Sequence, residues 1–144
     1  MITTYKYMPD APYCLHDMRI CKIKTAEKTL KLSFENGYVT AAEPHRQVNG
    51  SISIQEVDYD FCFAYVLSKD GRFGAFRGKK LSLQDFLKKY PSFSFEVVDE
   101  SFGYNSVSYN GYLLLPKKKD FLELTLTVYH FGSILYETES FPFP

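Results

Sequence analysis

Tyr59-Asp60-Phe61-Cys62-Phe63-Ala64-Tyr65-Val66-Leu67 is the run on which the fold turns. Large side chains stand at 59, 61, 63, 65 and 67, and small apolar ones at 62, 64 and 66. A period of two belongs to a β-strand, because helical faces repeat every 3.6 residues. With both faces apolar, the run reads as a central strand covered on both sides. On that reading Phe61, Phe63 and Tyr65 lie in the core.

The same period extends outward in both directions. Leu30, Leu32 and Phe34 alternate with Lys31, Ser33 and Glu35, and Asn36-Gly37 leads on to Tyr38-Val39. Asn-Gly supplies the two positive-φ positions of a type I′ turn, so residues 29–42 are expected to form a hairpin. Beyond the central run, Lys69-Asp70-Gly71 turns the chain and Phe73 to Phe76 return as a strand. Further on, Phe93, Phe95 and Val97 alternate, and Asn110-Gly111 signals a second turn or bulge. Leu122, Leu124, Leu126 and Val128 mark a half-buried strand. Gly132-Ser133 suits a type II′ turn that would bring Ile134 to Glu139 back as its partner.

A single helix is written into this pattern, over residues 82–90. Ser82 can accept a hydrogen bond from the first-turn amides, and Asp85 follows three residues later. Leu81 and Phe86 fit a hydrophobic staple, and Leu83, Phe86, Leu87 and Tyr90 form one apolar stripe. Lys88 and Lys89 complement the C-terminal end of the dipole, and Pro91 stops the run.

The fold class is therefore mainly β: an antiparallel sandwich or barrel of about eight to ten strands with one short helix. A chain of 144 residues fits a single domain spanning 1–144. Residues 1–13, with Pro9 and Pro12, read as an extended arm, and 140–144 as a surface tail. Thirteen Phe and 12 Tyr without any Trp suit pleated, half-buried surfaces.

Charge narrows the partners. Seventeen basic and 17 acidic residues leave no basic excess to neutralise phosphates, so no nucleic-acid partner is expected. Lys117, Lys118 and Lys119 read as a solvated turn, and no apolar run approaches membrane-span length. An odd set of cysteines (Cys14, Cys21 and Cys62), without a CxxC pair, points to free thiols in a reducing compartment. The first residues lack a basic start followed by an apolar core. Cytoplasmic location is the expectation.

Candidate chemistry is sparse. His16-Asp17 pairs an imidazole with a carboxylate, the parts of a general base and its orienting group. Adjacent residues of an extended chain point to opposite sides, however, so a turn that fixes entry into the first strand is the simpler reading. Cys14 and His16 could share one side, but Cys21, Cys62, His45 and His130 supply no ligand-like pair, and no metal or cofactor is expected. Gly71-Arg72-Phe73-Gly74 and Arg77-Gly78-Lys79-Lys80 lack phosphate-loop spacing, and the latter reads as a basic hairpin edge. Tyr104, Tyr109 and Tyr112 lie among Asn105, Ser106, Ser108 and Asn110, the residue set favoured by recognition loops. They are expected to expose their rings on one surface.

Leu15-His16-Asp17-Met18-Arg19-Ile20, followed by Leu30-Lys31-Leu32-Ser33-Phe34, resembles the opening of small uncharacterised bacterial β-rich proteins, some immunity proteins of toxin–antitoxin pairs among them. The likeness covers about a quarter of the chain and carries no functional residue. Three functions follow as expectations. The first is a non-catalytic module that binds a protein partner, in a bacterial-type cytoplasmic protein. The second is a barrel or cup holding a small apolar molecule, and the third an enzyme using His16 and Asp17.

Overall fold

In the computed structural model, which describes residues 1–4, 11–68 and 77–139, the alternating segments are strands. They are β1 (Tyr13–Cys14), β2 (Arg19–Ala26), β3 (Thr29–Phe34), β4 (Tyr38–Thr40), β5 (Gln47–Ile54) and β6 (Phe63–Ser68), followed by β7 (Arg77–Ser82). After helix α1 (Leu83–Lys89) come β8 (Ser94–Gly103), β9 (Ser106–Leu114), β10 (Leu122–Tyr129) and β11 (Ile134–Glu139). All pair antiparallel in one sheet, in the order β1-β4-β5-β3-β2-β8-β9-β10-β6-β7, with β11 on β5. Among the described residues the sheet is not closed, which is consistent with a sandwich. Its two halves also meet through the loops: Val57 bridges to His130, and the Asp58 amide donates to the Tyr129 carbonyl.

The helix forms where its signals lie. Ser82 is the N-cap, its Oγ accepting from the Asp85 amide at 3.1 Å, and the Tyr90 amide closes the last turn onto Phe86. Leu83 and Phe86 are fully buried, and the Phe86 ring lies 5.6 Å from that of Phe93. Seven residues are too few for a free-standing helix, so this buried stripe holds it in place. The core continues along the inner faces of β3 (Leu30, Leu32), β8 (Phe95, Val97) and β10 (Leu124, Leu126, Val128), as the alternation requires.

Four expectations are corrected. Residues 59–61 are a 3-10 turn, not strand, and β6 is turned the other way round. Cys62, Ala64 and Val66 face the core, whereas Phe61 and Tyr65 stand 58% and 39% exposed. The small residues face inward because α1 lies on that side, with the Leu83 amide donating to the Cys62 carbonyl. The 29–42 hairpin does not form. Asn36 lacks the positive φ of a type I′ turn, and β4 pairs with β5 and β1 while β3 pairs with β2 and β5. Tyr38 is decisive there, fully buried, with its hydroxyl donating to the Glu137 carbonyl at 2.9 Å.

Similarly, β11 pairs with β5 and not with β10, because Phe131 and Gly132 donate to the carbonyls of Glu56 and Gln55 and steer the chain across. Asn110-Gly111 is not a turn; β9 runs through it. The bulge sits opposite, between Val97 and Asp99 of β8, and a Cβ at 111 would overlap the Glu96 carbonyl. The expected strand 73–76 and the tail 140–144 lie outside the described residues. Of the expected arm, Tyr13 ends in β1 against Thr40.

Candidate functional site

His16 and Asp17 do meet, against the expectation for neighbours in an extended chain. Asp17 adopts φ +65°, which brings both side chains to the same side of a turn closed by the Met18 amide on the Leu15 carbonyl. His16 Nδ1 lies 2.6 Å from the Val98 carbonyl and must therefore donate, while Nε2 lies 3.5 Å from the Asp17 carboxylate. The imidazole pKa is raised, first by the Val98 carbonyl and then by Asp17. A general base needs a free lone pair in a sheltered site. Here both nitrogens face acceptors and both side chains are exposed. The pair acts as a clamp that fastens the N-terminal turn onto the β8 bulge, together with the Asp17 amide on the Val97 carbonyl.

The three tyrosines do not share a surface. Tyr104 stands 91% exposed at the β8–β9 turn. Tyr109 points inward and is wholly buried. Tyr112 points outward and packs edge-on against Phe121 at 4.8 Å. Alternation along β9 accounts for the split, since 109 and 112 differ by an odd number.

Tyr109 belongs instead to a polar group inside the fold that the sequence does not announce. The β8 bulge shifts the inward positions from Phe95 and Val97 to Glu100, placing that carboxylate directly across from Tyr109. Burial pushes the Glu100 carboxyl up to about 7, against the Leu15 backbone hydrogen bond that acts the other way. Glu100 Oε2 and the Tyr109 hydroxyl are buried without a hydrogen-bond partner. Burial raises the pKa of Tyr136, with Glu100 and Tyr38 adding to it, and raises that of Tyr38 to about 12, with Tyr13 and Glu137 adding to it. Tyr13 completes the group, its ring 4.8 Å from that of Tyr38 and 5.0 Å from that of Tyr136.

The outward face of β6, β10 and β9 carries a different pattern, in three rungs. Phe63 aligns with Thr127 and Ser108, Tyr65 with Thr125 and Asn110, and Leu67 with Glu123 and Tyr112. Hydrogen bonds tie the polar members across the strands: Ser108 to Thr127 at 3.1 Å, and Thr125 to Asn110 at 2.8 Å. Asn110 in turn donates to Asp99 at 2.6 Å. Lys80 of β7 reaches back over Phe63, its Nζ 4.0 Å from the ring centroid. A shallow cleft of about 200 Å³ opens between Tyr65, Leu67, Val98, Tyr112 and Glu123. The arrangement sets rigid aromatic side chains beside a pre-ordered ladder of hydroxyls and amides.

Cys14 is exposed, Cys21 half-buried and Cys62 buried; all are free thiols, and burial raises the pKa of the latter two. Among the described residues no three His, Cys, Asp or Glu side chains gather as a metal set, and no helix is long and apolar enough to cross a membrane.

No protein-family model, curated protein or solved structure matches the chain.

Proposed function

We propose that the protein is a non-catalytic recognition module that binds a protein partner across the outer face of β6, β10 and β9. The observation that carries this reading is the orientation of β6. Its aromatic and leucine side chains face water and its small residues face the core, with Tyr65 and Leu67, and Phe61 in the turn just before it, all more than a third exposed. Burying such a side chain completely is worth about 1.5–3 kcal/mol, and at the exposures here roughly 0.6–1.7 kcal/mol of it is still to be gained at each. The fitting partner presents an apolar patch with a carboxylate at its rim for Lys80, whose ammonium is already held over the Phe63 ring. Free thiols suit a reducing compartment, and cytoplasmic location is part of this proposal.

The test is affinity capture with wild-type bait and with Tyr65→Ser/Leu67→Ser bait. A captured protein is identified by mass spectrometry, purified and titrated against both baits. The expected loss is at least about tenfold in affinity, with unchanged far-UV circular dichroism, because truncated interface anchors typically cost about 1–2 kcal/mol or more each. A partner that binds both baits equally refutes this surface.

A further inference from the structure

We infer that the cleft between β7, the end of α1 and the β9–β10 loop is a binding site for an acidic, extended segment of a partner protein. The inference rests on the recognition reading and names what its second contact is made of. Basic side chains from three elements converge on this cleft of about 440 Å³: Arg77 and Lys79 from β7, Lys89 from the adjoining α1, and Lys118 from the sequence-distant loop before β10. Among the described residues, Asp120 is the sole carboxylate in the lining, beside Val66, Leu122 and the Tyr90 ring. Among the described residues, no carboxylate pairs with Lys79, Lys89 or Lys118.

Each stretch has an ordinary explanation taken singly. Lysines guard edge strands, complement helix C-termini and solvate turns. None of these explains their gathering around one cleft in a chain whose formal net charge is zero. Acidic residues gather elsewhere: Glu27, Glu56, Asp58 and Asp60, with Lys28 among them, line a cleft beside the turn that precedes β6. Asp58 and Asp60 thus stand at the start of β6, whereas Arg77 and Gly78 pair with Ser68 and Leu67 at its end. Charge segregated in this way steers an anionic partner to one end of the sheet.

The lining selects a peptide over other anions. β7 pairs only with β6 among the described residues, and an incoming strand would add along its second edge. Val66, Leu122 and Tyr90 suit the aliphatic side chains of such a strand, while the lysines meet its carboxylates. A neutral protein with one basic end lacks the long stripe that tracks a nucleic-acid backbone.

The probe is a fluorescein-labelled peptide of alternating Glu and Val, about a dozen residues long to match an extended strand and its flanks, followed by fluorescence anisotropy with full-length protein. Saturable binding is expected, weakened by salt and weakened about tenfold or more in Lys79→Glu/Lys118→Glu. The exposed, charge-matched pair Lys22→Glu/Lys24→Glu on β2 should leave it unchanged, and a Gln-for-Glu peptide should not bind. Circular dichroism of both double variants, and the milder Lys79→Gln/Lys118→Gln, separates lost binding from lost folding. Absent binding, equal loss in both charge-reversed pairs, or an oligothymidylate of matched charge binding as tightly as the peptide overturns the inference. Salt-dependent self-association of the chain in place of peptide binding also overturns it. If the peptide result fails while Tyr65→Ser/Leu67→Ser still abolishes partner binding, the cleft assignment falls and the recognition surface stands. The opposite pattern removes the surface and leaves the cleft.

Discussion

Glu100→Gln should make the protein more stable at neutral pH and leave it little changed in acid. In the folded chain the Glu100 carboxyl is pushed up to about 7 from an ordinary 4.5, mainly because burial penalises its charge. Folding therefore takes up a proton between those two values. Wild-type stability from this group is whole below about pH 4.5, falls as pH rises through the window, and is at its lowest above 7. A displacement from 4.5 to about 7, at about 1.36 kcal/mol for each decade of proton affinity, caps the penalty near 3.4 kcal/mol. The side chain keeps some contact with water, which screens its charge, so about 1–2 kcal/mol is the expected difference at pH 8. Gln carries no charge at any of these pH values, and its amide can donate to the Tyr109 hydroxyl that lacks a partner.

The assay is urea unfolding of both proteins from pH 4 to 8, followed by far-UV circular dichroism or by tyrosine fluorescence, which the absence of Trp leaves undisturbed. Groups common to both chains cancel in the difference. The gap between variant and wild type should open between about pH 4.5 and 7 and then level off. A gap that is constant with pH, or one in which wild type gains on the variant as pH rises, would refute the placement of Glu100 inside the fold.

Other outcomes follow from the helix and from the two faces of the sheet. Ser82→Ala removes the hydroxyl that accepts from the Asp85 amide and should lower unfolding free energy by about 0.5–2 kcal/mol, measured by denaturant titration. Phe95→Ala, at a fully buried site, should cost about 3–5 kcal/mol. Phe63→Ala, on the outward face, should cost less than half as much by the same titration. Equal losses at 63 and 95 would mean that the outward face is packed as tightly as the core.

The sites show where sequence reasoning reached and where it stopped. Tyr104, Tyr109 and Tyr112 share a recognition-like composition, but composition carries no facing, and alternation sends Tyr109 into the core. Glu100 left no signal at all. Its inward turn comes from a bulge in β8, which the Asn110-Gly111 pair hinted at on the wrong strand. His16 and Asp17 were legible as neighbours, yet the left-handed backbone at Asp17 that joins them was not. The basic cleft was visible only as three separate charge runs.

What the sequence alone determined was local: the β class, the inner faces of β3, β8 and β10, and the capped helix with its boundaries. Those features depend on side chains within a few residues of one another, so period and capping chemistry suffice. What only the tertiary structure decided was pairing and facing. Asn36-Gly37 and Gly132-Ser133 both invited hairpins, and neither formed, because β5 takes β4 and β11 as partners and buries Tyr38 between them. The run 59–67 is apolar on both faces, so its period could not say which face was inner. That choice depended on where α1 lay against the sheet, a contact between segments no local pattern connects.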